Sequence, residues 1–329
     1  MLRVIKPEGF GNIQLEDVPL PEVGPRNVLV RTQVTLISRG SELLARYSKT
    51  EAVSPEIMGY SLTGHVEQIG SGVTEYAAGD RVMVVAPHSD FALGQVDGGD
   101  VRRKVVPLPD GVSFEEGTFL PLVTSAVAWA EAAGIQPGDT VVILGQGLVG
   151  NLVMQAVKAA APGRIVVVDG LSNRCAMAAD LGADVVVNAS EQDPVGAVRE
   201  LTGGHGADVV IDCVGGQAGI RSFEQAQDMV RPRGTLQLIS LYHGAPLPLH
   251  ASKVMNRRII AGMITEEPYD QRAARAAEAM RNGNIRVAPL ITHRLPYHQA
   301  RAAFDLLWER PGEALGVLLL WNDACPPGD

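Results

Sequence analysis

A glycine-rich turn between two apolar, β-branched segments lies near the middle of this chain of 329 residues. The first segment, TVVIL, runs into Gly145-x-Gly147-x-x-Gly150, and the second, RIVVVD, ends nineteen residues past the last glycine in a carboxylate, Asp169. A stretch with helical periodicity separates the two segments. Strand, glycine turn, helix and acid-terminated strand form the βαβ unit that holds a dinucleotide. The sequence therefore predicts a doubly wound nucleotide-binding domain.

Glycine is needed at each of these three positions for a different physical reason. Gly145 allows the tight turn, Gly147 lets the backbone approach a pyrophosphate, and Gly150 lets the helix lie close to the strand. The pyrophosphate would meet the free N–H groups and the positive dipole end of the helix that begins near Leu148. Asp169 can accept hydrogen bonds from both ribose hydroxyls of NAD and would repel the 2′-phosphate of NADP. The predicted cofactor is therefore NAD.

The pattern of apolar residues changes near residue 121. Before it, short alternating segments such as NVLVRTQVTLI and LTGHVEQIG are cut by turn signals and predict an all-β region. After it, helical and strand-like segments alternate, which requires a parallel sheet with helices on both faces. The sequence thus predicts an α/β protein with a β-rich domain at 1–123, the doubly wound domain at 124–264, and a return segment to the first domain at 265–329.

Composition excludes several classes of function. No apolar run approaches the ~18 residues that span a bilayer, and the N-terminus lacks the apolar core of a signal peptide, so a cytoplasmic protein is expected. The formal net charge of −9 argues against nucleic acid and membrane as partners. Cys175, Cys213 and Cys325 are far apart and predict no disulfide framework. Arginine outnumbers lysine by 23 to 5, which suggests a bacterial source.

These features together resemble the medium-chain dehydrogenase/reductase superfamily, which contains zinc alcohol dehydrogenases and quinone reductases. The motifs of the resemblance span nearly the whole chain and are GYSLTGHVEQIGSGV, GDRV, PLPDGVSFEEG, ILGQGLVG, VVVD, DLGADVVVN, GADVVIDCVGG and LITHRLP. The resemblance implies a GroES-like catalytic domain, a Rossmann domain, and a cleft in which a hydride passes between nicotinamide and a small-molecule substrate. It also implies a homodimer formed through edge strands of the nucleotide domain.

The chain departs from this family at the positions of the zinc ligands. Alignment without gaps places Arg39, Tyr60 and Leu120 where zinc-dependent members carry a cysteine, a histidine and a third ligand. Arginine and leucine offer no lone pair, and one tyrosine does not make the three-ligand shell of a catalytic zinc. No cysteine lies between Met1 and Asn173, so the structural zinc site is missing as well. A member without metal is expected.

Hydride transfer to a carbonyl builds negative charge on oxygen, and without zinc the side chains must stabilise that charge and supply a proton. Arg39 could replace the charge of the metal, or it could pair with Glu42 or Asp90 as a structural contact. Tyr60, acidified by a neighbouring cation, could be the general acid or base, or it could only fill the volume left by the imidazole. Ser41 stands where the zinc relatives relay the substrate proton, or it caps a turn.

Further cofactor contacts are implied by the resemblance. Thr124 falls where relatives place a threonine against the nicotinamide ring, and Val149 falls where a branched side chain backs that ring. Arg174 could lie over the adenine. The chain near Val214 and near Ser240 would end two further strands at the edge of the sheet where ligands bind.

The seven histidines form no predicted constellation. His65 is expected to be structural, on a strand. His88, in the segment APHSDF, has no partner that the sequence identifies and is expected at the surface. His243, which follows the segment LISLY, could approach the nicotinamide.

Three functions remain open. The first is metal-independent hydride transfer between NAD(H) and a secondary alcohol or ketone. The second is NADPH-dependent reduction of an activated C=C bond, as in quinone and enoyl reductases, which usually replace the strand-end acid with a small residue; Asp169 favours the first. The third is a non-catalytic nucleotide-binding protein, which would lose the polar groups that Arg39, Ser41 and Tyr60 provide.

Overall fold

A computed structural model describes residues 1–97, 101–241 and 246–321, and the chain divides into two compact units. Unit 1 takes its described residues from 1–121, 268–283 and 287–329, and unit 2 takes its described residues from 122–267 and 284–286. His243 and Cys325 lie outside the described residues.

The strands follow the alternating and β-branched segments of the sequence. In the described part of the chain they are β1 (Leu2–Ile5), β2 (Gln14–Asp17), β3 (Asn27–Ile37), β4 (Leu62–Ile69), β5 (Arg81–Val84), β6 (Phe91–Gln95), β7 (Val105–Pro107), β8 (Thr140–Leu144), β9 (Arg164–Asp169), β10 (Val185–Asn188), β11 (Ala207–Asp212), β12 (Val230–Leu238), β13 (Arg258–Ala261), β14 (Ile291–Pro296) and β15 (Gly316–Leu320).

Most helices coincide with the segments of helical periodicity. The α-helices are α1 (Phe114–Gly117), α2 (Leu120–Ala132), α3 (Leu148–Ala156), α4 (Ser172–Asp180), α5 (Pro194–Leu201), α6 (Gly219–Met229), α7 (Ala251–Val254), α8 (Tyr269–Arg281) and α9 (Ala300–Glu309). Short 3₁₀ turns occur at Pro55–Ile57, Val157–Ala160, Gly216–Ala218, Ala288–Leu290 and Tyr297–Gln299, and a π-helix occupies Arg39–Tyr47. None of the described helices is long and apolar enough to cross a membrane.

A seven-stranded sheet forms the framework of unit 1, in the order β14-β15-β3-β4-β5-β7, with β6 paired to β3. The long strand β3 is antiparallel to β15, β4 and β6, whereas β14 and β15 are parallel. Strands β1 and β2 form a separate antiparallel pair. The first part of the chain is therefore β-rich, and the last two strands complete its sheet.

Helix α9 holds the π-helix in place through an apolar cluster of unit 1. Leu43 and Tyr47 of the π-helix are buried there together with Phe304 and Leu307 of α9. The Tyr47 ring stacks on Phe304 with 6.1 Å between the ring centroids, and its hydroxyl donates to Asp305 at 2.7 Å. The residue pattern of the sequence does not predict this helix. A segment of nine residues is too short to be stable alone, and packing against a distant part of the chain stabilises it.

Unit 2 is a six-stranded sheet in the order β10-β9-β8-β11-β12-β13, and every neighbouring pair is parallel. The chain runs outward from β8 through β9 to β10, and then returns to the other side of β8 to add β11, β12 and β13. This reversal is the switch point beside which doubly wound sheets bind their ligands. The predicted fold class, a doubly wound domain joined to a β-rich domain, is confirmed.

Candidate active site

The glycine-rich turn of unit 2 leads from β8 into α3. Gly145 has a φ of +84°, which the left-handed region permits easily only for glycine. A Cβ on Gly150 would lie 1.7 Å from the carbonyl oxygen of Gly145, so only glycine allows this approach of helix to turn. A Cβ on Gly147 would meet open space. Leu148 is buried and Val149 is half-buried at the first turn of α3, whose free N–H groups can receive a pyrophosphate.

Asp169, the last residue of β9, binds the glycine turn directly. Its Oδ2 accepts from the backbone N–H of Gln146 at 2.6 Å, and its Oδ1 accepts from the N–H of Leu171 at 2.9 Å. An ionised carboxylate has about four lone-pair sites, so these two bonds leave acceptor capacity for the hydroxyls of a ribose. The guanidinium of Arg174 lies 3.9 Å from Oδ2. Oδ2 therefore has both an orienting contact with the turn and a positive charge nearby.

Two further strand ends lie beside the turn. A Cβ on Gly145 would lie 2.8 Å from Cγ2 of Val214, and one on Gly215 would lie 3.9 Å from Oγ of Ser240. The fully buried Asp212 fixes this loop, because its Oδ1 accepts from the N–H of Val214 at 3.1 Å and from Oγ of Ser222 at 2.8 Å. Asp212 is not among the predicted site residues, although an acid at the end of the apolar segment ADVVID is a signal that the sequence contains.

Thr124 occupies a different element of unit 2. It lies in α2 and is almost completely buried.

The predicted cofactor residues outside α2 lie close together in unit 2. The structure brings the glycines, Asp169, Arg174, Val214 and Ser240 together around the ends of β8, β9, β11 and β12.

In unit 1, a buried carboxylate and imidazole organise the candidate catalytic residues. Oε2 of Glu42 lies 2.8 Å from Nε2 of His88, and both side chains are 0% exposed. Oε1 of Glu42 accepts from the backbone N–H of Ser38 at 2.8 Å, which fixes the start of the π-helix. The backbone N–H of His88 donates to the carbonyl of Met58 at 2.7 Å. The pair thus connects the π-helix to the segment that leads into Tyr60.

The expectation of a surface His88 is wrong. Its ring packs edge-on against Phe304 with 6.1 Å between the centroids, and its Nδ1 has no hydrogen-bond partner among the described residues. Gly59 comes so close that a Cβ there would lie 2.7 Å from the backbone nitrogen of His88. The sequence could not reveal the pairing of His88 with Glu42, because 46 residues separate the two.

Tyr60 lies next to the two serines at the start of the π-helix. Its side chain hydrogen-bonds with Ser38 and Ser41, so Tyr60 and Ser41, two of the predicted catalytic residues, meet in unit 1. Burial raises the pKa of Tyr60 to about 12, and the negative charge of Glu42 adds to this increase. The serines and the positive charge of Arg46 lower the pKa by less. The expected acidification of Tyr60 is therefore wrong, because burial outweighs the neighbouring cation.

Arg39 has a structural contact in unit 1. Its Nη1 donates to the carbonyl oxygen of Leu307 at 3.1 Å, in the last turn of α9. A cation at a helix C-terminus satisfies a free carbonyl and complements the helix dipole. The carboxylate oxygens of Glu42 accept from Ser38 and His88, and Oδ1 of Asp90 accepts from the N–H of Leu2. The contact with α9 supports a structural role for Arg39.

The side chains in the described part of the chain do not fit a zinc site. Across residues 1–97, 101–241 and 246–321, no three His, Cys, Asp or Glu side chains cluster so as to hold a metal ion. The positions aligned with zinc ligands carry Arg39, Tyr60 and the buried Leu120. The donor atoms of Glu42 and His88 face each other rather than a shared site.

Comparison with known proteins shows similarity along most of the chain. Residues 24–120 match the family model of the alcohol dehydrogenase GroES-like domain, and residues 149–280 match that of zinc-binding dehydrogenases. An alcohol dehydrogenase of Cupriavidus necator is 28% identical, with 90% of this chain and 92% of that protein covered. Human sorbitol dehydrogenase is also 28% identical, with 98% and 95% covered.

Solved structures show the same fold. The alcohol dehydrogenase TADH from Thermus sp. ATN1 superposes with a TM-score of 0.81 at 23% identity, covering 97% of this chain and 99% of that one. The 2R,3R-butanediol dehydrogenase from Bacillus subtilis superposes with a TM-score of 0.80 at 20% identity, covering 98% and 100%.

Proposed function

The chain belongs to the medium-chain dehydrogenase/reductase superfamily of oxidoreductases, and we propose that it is a metal-independent member that transfers a hydride between NAD(H) and a secondary alcohol or ketone. The observation that carries this proposal is the hydroxyl of Tyr60, held by Ser38 and Ser41, at a position aligned with a zinc ligand. A small-molecule substrate and a cytoplasmic location are part of the same proposal.

Tyr60 is suited to donate a proton. With a pKa of about 12 its hydroxyl is protonated at neutral pH, and an alkoxide that forms from a ketone is more basic than a phenolate. The hydrogen bonds from Ser38 and Ser41 lower the pKa, which means that they stabilise the phenolate left after the transfer. Ser41 can then return a proton to Tyr60. The nicotinamide, when bound, supplies or accepts the hydride.

Unit 2 supplies the residues that would hold the cofactor. The N-terminus of α3 can receive the pyrophosphate, and the free lone pairs of Asp169 can accept from the ribose hydroxyls. Asp169 opposes the 2′-phosphate of NADP by like charge, whereas Arg174, 3.9 Å away, would attract it. The carboxylate bonds the N–H of Gln146 in the glycine turn, and a negative charge held at this place favours NAD.

Asp169→Ala should weaken binding of NAD by about 10-fold and reduce the preference for NAD over NADP. The variant loses the acceptor for the ribose hydroxyls and leaves Arg174 without the neighbouring negative charge. Fluorescence titration with NADH and NADPH measures both effects. Half-buried Asp139, which accepts from the N–H of Gln136 in the turn before β8, gives Asp139→Asn as a control with unchanged preference. A wild type that already prefers NADPH would favour the C=C reductase.

Prolonged treatment with a zinc chelator should leave turnover unchanged, because the aligned positions lack zinc donors. Elemental analysis of the active enzyme should find less than about 0.1 zinc ion per chain. A true zinc site binds its metal tightly and would therefore be filled. Stoichiometric zinc, or loss of activity that added zinc restores, would contradict metal independence. Absence of turnover with any alcohol, ketone or enone, despite NADH binding, would favour a non-catalytic nucleotide-binding protein.

We also propose a homodimer that forms through the edge of the unit 2 sheet. Strand β13 is the outermost strand next to β12, and its Ile259 is exposed together with Met263 and Ile264 just beyond it. A strand edge with exposed apolar residues is a ready template for pairing with a second copy. A sedimentation coefficient of a monomer at micromolar concentration would contradict this arrangement.

A further inference from the structure

Arg46, a half-buried residue of the π-helix, forms no ion pair with a described carboxylate. Its Nη1 is buried and has no hydrogen-bond partner among the described residues. Glu42, one turn earlier on the π-helix, already accepts from Ser38 and His88. Elsewhere in unit 1, Arg26 pairs with both Glu75 and Asp97, which Arg46 does not match. A charged donor that is buried without a partner costs free energy, which suggests a ligand.

The position of Arg46 relates it to the candidate proton donor. In a π-helix, backbone hydrogen bonds join residues five positions apart. Ser41 and Arg46 are five positions apart and therefore lie on one face of the π-helix. Leu43 and Tyr47 are buried in the cluster formed with α9. Tyr60 hydrogen-bonds with Ser41, and the charge of Arg46 acts on the Tyr60 hydroxyl. The guanidinium therefore stands near the group that would donate the proton.

We propose that Arg46 binds an oxyanion group of the substrate, a carboxylate or a phosphate, next to the carbon that Tyr60 serves. The planar guanidinium can form two parallel hydrogen bonds with either group, which gives orientation as well as attraction. The inference rests on the proposed function and deepens it, because it assigns the substrate to hydroxy acids or phosphorylated alcohols rather than to neutral alcohols.

Matched substrate pairs test the contact in the full-length enzyme with NAD. One pair is 2-hydroxybutyrate and 2-hydroxybutyramide, and the other is glycerol 1-phosphate and glycerol. The charged member of at least one pair should have a kcat/KM at least about 10-fold above that of the neutral member. The pair that shows the preference distinguishes a carboxylate from a phosphate ligand.

Arg46→Gln should reduce this charged-to-neutral ratio by about 10- to 100-fold. The ratio isolates the substrate contact, because any effect of Arg46 on Tyr60 acts on both members of a pair. Arg46→Lys, which keeps the charge and loses the fork, should retain part of the ratio. Arg310→Gln, an exposed residue after α9, is the control and should leave the ratio unchanged.

Binding of simple oxyanions separates this inference from the proposed function. Calorimetric titration of the NADH-saturated enzyme with oxalate and with inorganic phosphate should show binding that Arg46→Gln abolishes. Such binding without any turnover would support the anion site and contradict the proposed function. An equal loss for charged and neutral substrates in Arg46→Gln, or oxyanion binding that is the same in variant and wild type, would overturn the inference.

Discussion

Replacing Tyr60 with phenylalanine should lower the turnover number of ketone reduction by about 10²- to 10⁴-fold and leave NADH binding unchanged. The variant keeps the ring and loses only the hydroxyl that Ser38 and Ser41 hold. Because the NADH-binding groups of the glycine turn and Asp169 lie in unit 2, cofactor affinity should not depend on this hydroxyl. Steady-state kinetics with NADH and a fluorescence titration of NADH measure the two quantities separately.

Tyr76 provides a matched control for this variant. Its hydroxyl donates to the carbonyl of Val105 at 3.1 Å, and burial raises its pKa to about 12, as for Tyr60. Tyr76→Phe therefore removes a similar hydroxyl from the same unit without touching the π-helix, and turnover should remain within about 2-fold of wild type, as for a change away from the reacting groups. Equal turnover in Tyr60→Phe and wild type would remove Tyr60 as the proton donor.

The pH dependence of reduction offers an independent test of Tyr60. Its pKa is raised from 10 to about 12, so the protonated, donating form persists through neutral and mildly alkaline pH. Loss of a proton from Tyr60 should therefore not limit ketone reduction below about pH 11. A decline with an apparent pKa near 8, present in wild type and absent in Tyr60→Phe, would show that the cofactor complex acidifies Tyr60 far more than the protein alone.

The nucleotide unit was predictable because its chemistry is local in sequence. The segment RIVVVD became β9 with the same bounds, Arg164–Asp169, since β-branched residues bounded by turns specify a buried parallel strand. The spacing from Gly150 to Asp169 is likewise a property of one continuous βαβ segment. Such features depend on few distant contacts, which is why sequence reasoning reaches them.

The arrangement around Tyr60 was less accessible, because distant contacts create it. The π-helix depends on α9, some 260 residues later, and its register decides that Arg46 shares a face with Ser41. Burial, which the sequence does not quantify, reverses the expected direction of the Tyr60 pKa. A histidine in a loop carries no sign of a carboxylate 46 residues away, so the sequence alone predicts a surface position for His88. Local rules predict the scaffold, and long-range packing sets the protonation of the site.

Glu42→Ala should lower the free energy of unfolding of unit 1 by about 3 to 5 kcal/mol, because it removes one partner of a fully buried polar pair. The variant leaves His88 and the N–H of Ser38 without their acceptor, and it opens a cavity beside the π-helix. Urea unfolding followed by the fluorescence of Trp321, which lies in the cluster with Leu43, measures the loss. Because tryptophans also occur elsewhere, the experiment uses a Trp129→Phe background to exclude the signal of unit 2.

Two further variants show whether the loss comes from burial of the pair. Glu42→Gln keeps the shape and an acceptor oxygen, so it should cost only about 1 to 2 kcal/mol. Glu115 forms a two-pronged ion pair with Arg294 at the surface, and Glu115→Ala should cost less than about 1 kcal/mol because water screens that pair. If Glu42→Ala costs no more than Glu115→Ala, the buried pair does not hold the π-helix. The position of Ser41 relative to Tyr60 would then depend on α9 alone.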